Sequence, residues 1–512
     1  MNHEIIIVLT AIILMVFLLV KDYLRPGLVL FSVVVVFLAA GIITPKEALA
    51  GFSNKGMITV ALLFLVSEGV RRSECLTPIM KRLFPSKERS SVRKGYLSIM
   101  TTVAAISAFL NNTPIVVIFI PHIKAWCKRV GLPLKKFLIP LSYAAILGGM
   151  CTLIGTSTNL VVHGLMLDAG LSGFTMFELG KVGLIIAVVG IIYVALFGNR
   201  RLPDDSNIPQ EEMDGEQHIV DVVLGPRFPG IRRTVAEFGF KKHYGAEIVE
   251  IRRGGEVLSD IPNVEFKEGD ALKLAADEGF IETWGDSRVF LMISNGKEHE
   301  MTAPRWKRRL SLVLLILMIA GAATCDMPFV KQIFGDIYPD MFFWACVVTV
   351  IMACCNIFPA KKYTKFISWD ILITIASALA ISRAMTNSGL ADWIAAMLID
   401  LSGNVSPYII LAVLYITTNI ITELITNNAA AAFAFPIALS AAAQLGVDAM
   451  PFCVAICMAA SSSFSSPIGY QTNMIVQGMG HYKFSDFVRI GLPMNILAFI
   501  ISMIFIPMFW KF

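Results

Sequence analysis

Residues 111–113 read Asn111-Asn112-Thr113, and residues 426–428 read Thr426-Asn427-Asn428. The two triplets lie 315 positions apart (Asn112 to Asn427), and the same offset holds around them. Ile58-Thr-Val-Ala-Leu-Leu-Phe-Leu-Val-Ser67 answers Ile373-Thr-Ile-Ala-Ser-Ala-Leu-Ala-Ile-Ser382, and a proline follows each triplet, at Pro121 and Pro436. Further on, Gly155-Thr-Ser-Thr-Asn159 answers Gly469-Tyr-Gln-Thr-Asn473 with one residue of slip. Matches that keep register over such a distance point to an internal duplication.

Composition says where the duplicated halves reside. The 512-residue chain is 56% hydrophobic and 16% charged, with mean hydropathy +0.70; a soluble domain carries roughly 25% charged residues. Charge is concentrated near 199–309, and apolar runs long enough to cross a bilayer fill the rest, for example 5–20, 27–43, 182–197, 311–325 and 341–358. No small-residue cleavage site follows the first run, so it reads as a first membrane helix. The net charge of +5 resides in short loops, the positive-inside pattern, and calls for no nucleic-acid partner. The nine cysteines include no Cys-x-x-Cys, and neither a Walker loop nor a Gly-x-Ser-x-Gly elbow is present. These absences argue against a metal centre, a built-in ATPase and a serine hydrolase.

Loop charges give the relative orientation of the halves. Loop 81–94 holds Lys81, Arg82, Lys87, Arg89, Arg93 and Lys94, while its counterpart 396–409 holds no Lys or Arg. Loop 122–136 holds Lys124, Lys128, Arg129, Lys135 and Lys136, and its counterpart 437–451 again holds none. Equivalent loops therefore face opposite sides, as in secondary transporters with inverted repeats and a midplane site. Because both loops flanking Asn112 are basic, residues 95–121 enter and leave on one side as a re-entrant hairpin; by symmetry 405–440 re-enters from the other. The expected fold is an all-α polytopic membrane protein of two inverted repeats, 1–200 and 306–512. Each has about five transmembrane helices plus a re-entrant hairpin. A small α+β domain is inserted at 201–305. Lys21, Arg25, Arg200, Arg201, the basic run 305–309, Lys361, Lys362, Lys365, Lys483 and Arg489 then all face the cytoplasm of a plasma (inner) membrane, as does the insert.

Irregular backbone inside a membrane is tolerated where it lines a site. Four breaks are expected: the two hairpin turns, 148–159 and 461–473. Their Ser, Thr, Asn and Gly residues offer carbonyl, hydroxyl and amide groups that suit a hard cation, and helix N-termini that suit an oxyanion. Small polar residues also serve helix packing, but an Asn in hydrocarbon needs a partner, and the duplication marks where that partner is. Glu423, one turn before the second triplet, is a buried carboxylate that could hold a coupling cation or proton, or pair structurally with Arg383. Its counterpart is Ala108.

The triplets, with Gly148-Gly-Met-Cys-Thr-Leu-Ile-Gly-Thr-Ser-Thr-Asn159, resemble the divalent anion:sodium symporter family of the ion transporter superfamily. The subgroup resembled is the sulfate permease-like one with an inserted potassium-regulatory (TrkA-C/RCK C-terminal) domain. The resemblance implies anion contacts at Asn111, Asn112, Thr113, Thr426, Asn427 and Asn428, with Thr158, Asn159, Pro467, Thr472 and Asn473 alongside. It implies cation sites drawing on Ser107, Asn112, Gly155, Thr422, Asn427, Ser465 and Ser466. It further implies Na+ (or H+) as the coupling ion, no other metal or cofactor, an elevator-like motion and a homodimer. Asn111, Thr426 and Asn428 depart from the family's Ser-Asn-Thr triplets, which favours a small inorganic oxyanion such as sulfate over a dicarboxylate or citrate. A cation/proton antiporter or an arsenite-type exporter is the alternative on the same architecture; a potassium channel is disfavoured because no Thr-Val-Gly-Tyr-Gly filter occurs. In the insert, alternation predicts strands at 218–224, 246–251 and 271–276, with Gly254-Gly255 as a hairpin turn. A single copy of the regulatory domain is read over about 217–280.

Overall fold

The computed structural model describes residues 3–21, 24–79, 92–204, 218–277, 279–285, 287, 289–294, 303–325, 327–334, 339–401 and 406–512. The basic residues Lys81, Arg82, Lys87 and Arg89 lie outside them.

The first repeat runs α1 (His3–Val20), α2 (Pro26–Ala39), α3 (Pro45–Ala50), α4 (Lys55–Ser73), α5 (Val92–Ser107), α6 (Asn112–Val130), α7 (Leu138–Gly149), α8 (Ser157–Asp168) and α9 (Gly180–Arg201). Local chemistry sets the boundaries. Pro26 starts α2 at a position that needs no N–H donor. A Thr44–Glu47 capping box starts α3, and the Asn54 side chain accepts from Gly56 N (2.8 Å) and Met57 N (3.3 Å) to start α4.

Between the repeats lie strands β1 (His218–Leu224), β2 (Glu247–Arg253), β3 (Glu256–Val257), β4 (Ala271–Ala276) and β5 (Phe290–Ser294), with short helices α10 (Val235–Phe238), α11 (Phe240–Tyr244) and α12 (Phe280–Trp284). The antiparallel sheet has the order β3-β2-β4-β1-β5. Gly254 and Gly255, both at positive φ, make the β2–β3 turn. Phe228, Phe238, Phe240, Phe266 and Phe290 pack into one buried aromatic core. The edge strand β5 extends the sheet to Ser294, past the 217–280 span read from the sequence.

The second repeat comprises α13 (Arg305–Ala323), α14 (Pro328–Phe334), α15 (Met341–Cys354), α16 (Trp369–Asn387), α17 (Leu390–Leu401), α18 (Pro407–Leu424), α19 (Asn427–Leu445), α20 (Met450–Ser461), α21 (Gln471–Gly480) and α22 (Phe484–Phe509). Among the described residues, seven helical segments are long and apolar enough to cross a membrane, and apolar helices such as Pro26–Ala39 and Met341–Cys354 are shorter.

The repeats match element by element. Both ends of α2 fall 315 positions before those of α15, and both ends of α6 fall 315 before those of α19. Their packing is reciprocal: α2 lies on α16 as α15 lies on α4, and α7 meets α21 as α20 meets α8. That exchange is what a two-fold axis between inverted repeats produces.

The insert rests on one face of the helical body. Arg25 Nη2 donates to Pro226 O (3.0 Å) and Arg227 Nη2 to Ile367 O (3.5 Å). Lys124 on α6 pairs with Asp221, Lys483 lies 3.7 Å from Glu256, and a Cβ on Gly478 of α21 would meet Val223 at 2.8 Å.

Candidate functional site

The site grows out of the two hairpins. α5 and α6 are joined by a tight turn over 108–111, and α18 and α19 by residues 425–426. At the first turn, Ser107 Oγ lies 2.8 Å from the Asn112 carboxamide and 2.9 Å from Ala145 O on α7. At the second, Thr422 Oγ1 lies 2.7 Å from both Asn427 Oδ1 and Ala460 O on α20. Ser107, Asn112 and Ala145 each sit 315 positions before Thr422, Asn427 and Ala460, so the duplication has preserved a three-residue contact.

The adjoining breaks complete each cluster. One end of the Asn112 carboxamide is 2.8 Å from Ser107 Oγ, 3.0 Å from Ala145 O and 3.2 Å from Gly155 O. The corresponding end of Asn427 is 2.7 Å from Thr422 Oγ1, 3.3 Å from Ala460 O and 3.1 Å from Gly469 O. Which atom occupies that end is an assignment from the surrounding hydrogen bonds. As NH2 it donates to the neighbouring hydroxyl (Ser107 or Thr422) and to the two carbonyls, which satisfies the cluster without a ligand. As oxygen it joins a hydroxyl and two carbonyls in an oxygen-only cluster, the donor set of a hard monovalent cation. Glycine is required here by space: a Cβ on Gly155 would come within 2.6 Å of Gly149 O, and one on Gly469 within 2.8 Å of Thr422 O.

The breaks are held open by a second mirrored pair. Asn159 Nδ2 donates to Gly149 O (3.3 Å) and Thr152 O (2.9 Å), and Asn473 Nδ2 donates to Ser463 O and Ser466 O (both 3.0 Å). These amides supply donors to carbonyls that a broken helix leaves unpaired.

Four helices start at this place: α6 after Asn111, α8 after Thr156, α19 after Thr426 and α21 after Tyr470, and none has a side-chain cap. Their first N–H groups and aligned dipoles therefore form a positive end without a Lys or Arg. Hydrogen bonds across the repeats draw them together. Thr113 Oγ1 donates to Gln471 Oε1 (3.4 Å), and Ser157 Oγ and Thr158 Oγ1 donate to Asn428 Oδ1 (3.2 and 3.3 Å). Thr426 Oγ1, Thr472 Oγ1 and Asn159 Oδ1 are buried with no protein partner. Beside the first tip, Asn111, Ser157, Ser67 and Phe109 line a small cavity of about 10 Å³.

The structure thus gathers Ser107, Asn111, Asn112, Thr113, Gly155, Thr158, Asn159, Thr422, Thr426, Asn427, Asn428, Thr472 and Asn473 at the two tips and breaks. Ser465, Ser466 and Pro467 lie in the second break, with side chains used differently. Ser465 Oγ accepts from Asn495 Nδ2 (2.9 Å), and Ser466 Oγ accepts from Ile468 N (3.0 Å). Pro467 is buried there.

Glu423 is not the partner of Arg383. Its carboxylate accepts from Ser463 Oγ (3.1 Å), Ser465 N (2.9 Å) and Asn495 Nδ2 (2.7 Å), tying the second break to α22. Arg383 instead pairs with Asp168 at the end of α8 (2.8 Å), because α16 carries it to the face opposite the insert. Sequence reading missed Ala145 and Ala460, whose role is played by backbone carbonyls, and Ser142, whose Oγ donates to Asn473 Oδ1 (2.6 Å). It also missed Gln471, which the Gly155/Gly469 alignment could have found as the counterpart of Ser157.

The comparisons with known proteins agree with this geometry. The citrate transporter family (CitMHS) matches residues 7–335 and 333–512. An uncharacterized transporter of Synechocystis sp. is 29% identical over 600 residues, covering 97% of this chain and 95% of the relative. Sodium/sulfate cotransporter 1 of Chlamydomonas reinhardtii is 33% identical over 297 residues, 56% of this chain and 32% of the relative. The crystal structure of the YdaH transporter of Alcanivorax borkumensis shares the fold, with a TM-score of 0.52 at 11% identity over 91% of this chain and 87% of that one. Two inverted repeats that close broken helices and hairpin tips around an uncapped polar midpoint, in a chain matched by this family almost end to end, make it a member of the citrate transporter family and a multi-pass membrane transporter, not an enzyme.

Proposed function

We propose that the protein is a secondary anion transporter that carries sulfate or a related small oxyanion together with Na+ across the plasma (inner) membrane. The observation that carries this reading is the mirrored pair of oxygen clusters at Asn112 and Asn427, placed directly behind the uncapped helix starts. The anion lies between the tips, held by N–H groups of α6, α8, α19 and α21 and by Asn111, Thr113, Thr426 and Asn428. One Na+ lies behind each tip, held by Ser107, Asn112, Ala145 O and Gly155 O in the first repeat. Thr422, Asn427, Ala460 O and Gly469 O hold the other. Each carboxamide serves both states: its oxygen faces the cation, and its NH2 takes over the same carbonyls when the cation leaves. Each cation places positive charge behind a helix start, which raises affinity for the anion; by linkage the anion raises affinity for Na+.

The sodium/sulfate cotransporter relative supports the choice of ions, and the inverted repeats support an elevator-like exchange of faces by the hairpins and broken helices. The insert faces the cytoplasm on this reading, since it shares a face with Arg25, Lys124 and Lys483, and the protein works as a homodimer. A dicarboxylate is the second reading, favoured by the family match itself. The test is uptake of radiolabelled sulfate into proteoliposomes with and without an inward Na+ gradient. Gradient-driven uptake competed by thiosulfate or selenate is expected; uptake of succinate or citrate with none of sulfate would select the second reading.

A further inference from the structure

The carboxamides of Asn112 and Asn427 are alike at one end and differ at the other. The inner end of each, set among protein oxygens, meets the same trio of a hydroxyl and two carbonyls. The outer end of Asn427 lies 3.2 Å from the hydroxyl of Tyr470. The outer end of Asn112 has no hydrogen-bond partner among the described residues. Tyr470 follows Gly469 as Thr156 follows Gly155, so the first repeat has a side chain without the reach of a phenol at the matching place.

The surroundings of the phenol have diverged with it. Tyr470 is buried, and its hydroxyl faces the side chains of Ser461, at the end of α20, and Thr156, at the start of α8. Ser461 Oγ is buried and has no hydrogen-bond partner among the described residues. Its counterpart at the 315 offset is Ile146, which cannot accept a hydrogen bond. The second repeat therefore holds a phenol with a spare acceptor beside it, where the first holds a threonine and an isoleucine.

A phenol both donates and accepts, so this contact serves either orientation of the carboxamide. With NH2 inward, the outer atom is oxygen and Tyr470 donates to it. With oxygen inward on a cation, the outer atom is NH2. Tyr470 then accepts from it and turns its own proton to Ser461 or Thr156. The two states differ in strength. A carboxamide whose oxygen holds a cation is polarised into a stronger N–H donor, and the chain from NH2 to phenol to hydroxyl reinforces it.

We infer that Tyr470 is a positioning residue that holds the Asn427 carboxamide in its cation-bound orientation and so raises the Na+ affinity of the second cluster alone. This rests on the Na+ reading above. Tyr470 touches no ion in this scheme and acts through Asn427.

The experiment is initial sulfate uptake against Na+ concentration in proteoliposomes, with melting temperature recorded in detergent. The proteins are wild type, Tyr470→Phe, the paired variant Ser461→Ala/Thr156→Val, their combination, and Tyr415→Phe. Tyr470→Phe keeps the ring and removes the hydroxyl. Its half-saturating Na+ concentration should rise about twofold to twelvefold, the equivalent of one hydrogen bond, while uptake at saturating Na+ stays near that of wild type. The paired variant should shift the Na+ dependence in the same direction. It should add little to Tyr470→Phe, since its acceptors act only through the phenol. Tyr415→Phe is the control: its buried hydroxyl lies 3.4 Å from Ser462 Oγ, with no contact to Asn427 among the described residues, and its loss should leave Na+ dependence unchanged. A folded Tyr470→Phe protein with wild-type Na+ dependence would overturn the inference. So would a Tyr415→Phe protein shifted as far, or variants whose effects add in full. Should Tyr470→Phe fail to fold, the paired variant decides, and unchanged Na+ dependence there overturns the inference. Sulfate uptake by wild type that ignores Na+, or no oxyanion uptake at all, would instead remove the reading on which it rests.

Discussion

Thr422→Val isolates the proposed cation cluster of the second hairpin. The substitution keeps the shape of the side chain and removes one hydroxyl, which makes contacts of 2.7 Å to Asn427 Oδ1 and 2.7 Å to Ala460 O. The single hydroxyl proton serves one of these two oxygens at a time, and a hydrogen bond of this kind contributes about 0.5–1.5 kcal/mol net. At about 1.4 kcal/mol per factor of ten, the half-saturating Na+ concentration for uptake should rise between about twofold and twelvefold. Thr418→Val is the control on the same helix: its Oγ1 is buried but bonds only Leu414 O within α18 (2.7 Å). The assay is initial sulfate uptake against Na+ concentration in proteoliposomes, with melting temperature in detergent recorded for each variant. Ser107→Ala should repeat the effect for the first hairpin, because its contacts are the same within 0.2 Å. A folded Thr422→Val protein with an unchanged Na+ dependence, or a Thr418→Val protein shifted equally, would refute the assignment of the clusters as cation sites.

Other consequences are open to measurement. Ser142 satisfies Asn473 Oδ1, while its 315-offset counterpart is Cys457 and the matching Asn159 Oδ1 is buried without a partner; Cys457→Ser should therefore raise the melting temperature by the equivalent of about 0.5–1.5 kcal/mol, and a lower melting temperature would count against the symmetry argument. Glu423→Gln turns an NH2 toward Ser463 Oγ, Ser465 N or Asn495 Nδ2 and should destabilise by about 1–3 kcal/mol, read as a lower melting temperature whose size does not depend on Na+. In the insert, Asp270 is 1% exposed and bonds Arg253 at 2.7 and 2.8 Å and Lys267 N at 2.8 Å; Asp270→Ala removes these bonds while the partly exposed Arg253 keeps Glu265 O, and should cost about 1–3 kcal/mol, detected as protease cleavage between 218 and 294. By contrast, Asp168–Arg383 is partly exposed on both sides, so Asp168→Asn should alter stability by no more than about 1 kcal/mol, checked by the same melting assay.

Much of the architecture was legible because inverted repeats leave two independent traces. The offset of Asn112 to Asn427 located equivalent elements, and the loop charges at 81–94 and 122–136 set their hands. Helix boundaries followed the offset closely, since α6 and α19 start at the aligned Asn residues and end at Gly131 and Gly446, both at positive φ. What could not be read depended on contacts between distant elements. Glu423 and Arg383 were plausible partners by sign, but Arg383 meets Asp168 and Glu423 meets the N–H of Ser465 instead. Ala145 and Ala460 act through carbonyls, so no side-chain pattern announces them. Gln471 shares little chemistry with Ser157, and only its contact with Thr113 shows that it matters. In the insert, β5 was missed because residues 290–294 pair with β1, more than sixty positions earlier, rather than with a neighbouring strand through a short hairpin.

On the elevator-like exchange proposed above, an inverted duplication has an energetic implication: with the two repeats alone, the two end states would be close to degenerate. The insert removes that degeneracy. It touches α6 through Lys124 and α21 through Gly478, elements that carry the site, and on the same face it touches the α1–α2 connection through Arg25 and the start of α16 through Ile367. One body bonded to both partners of a relative motion acts as a one-sided weight on a balance, and it loads only one pan. On that proposal, the resting distribution between the two faces is set by a segment that contributes no residue to the proposed ion sites.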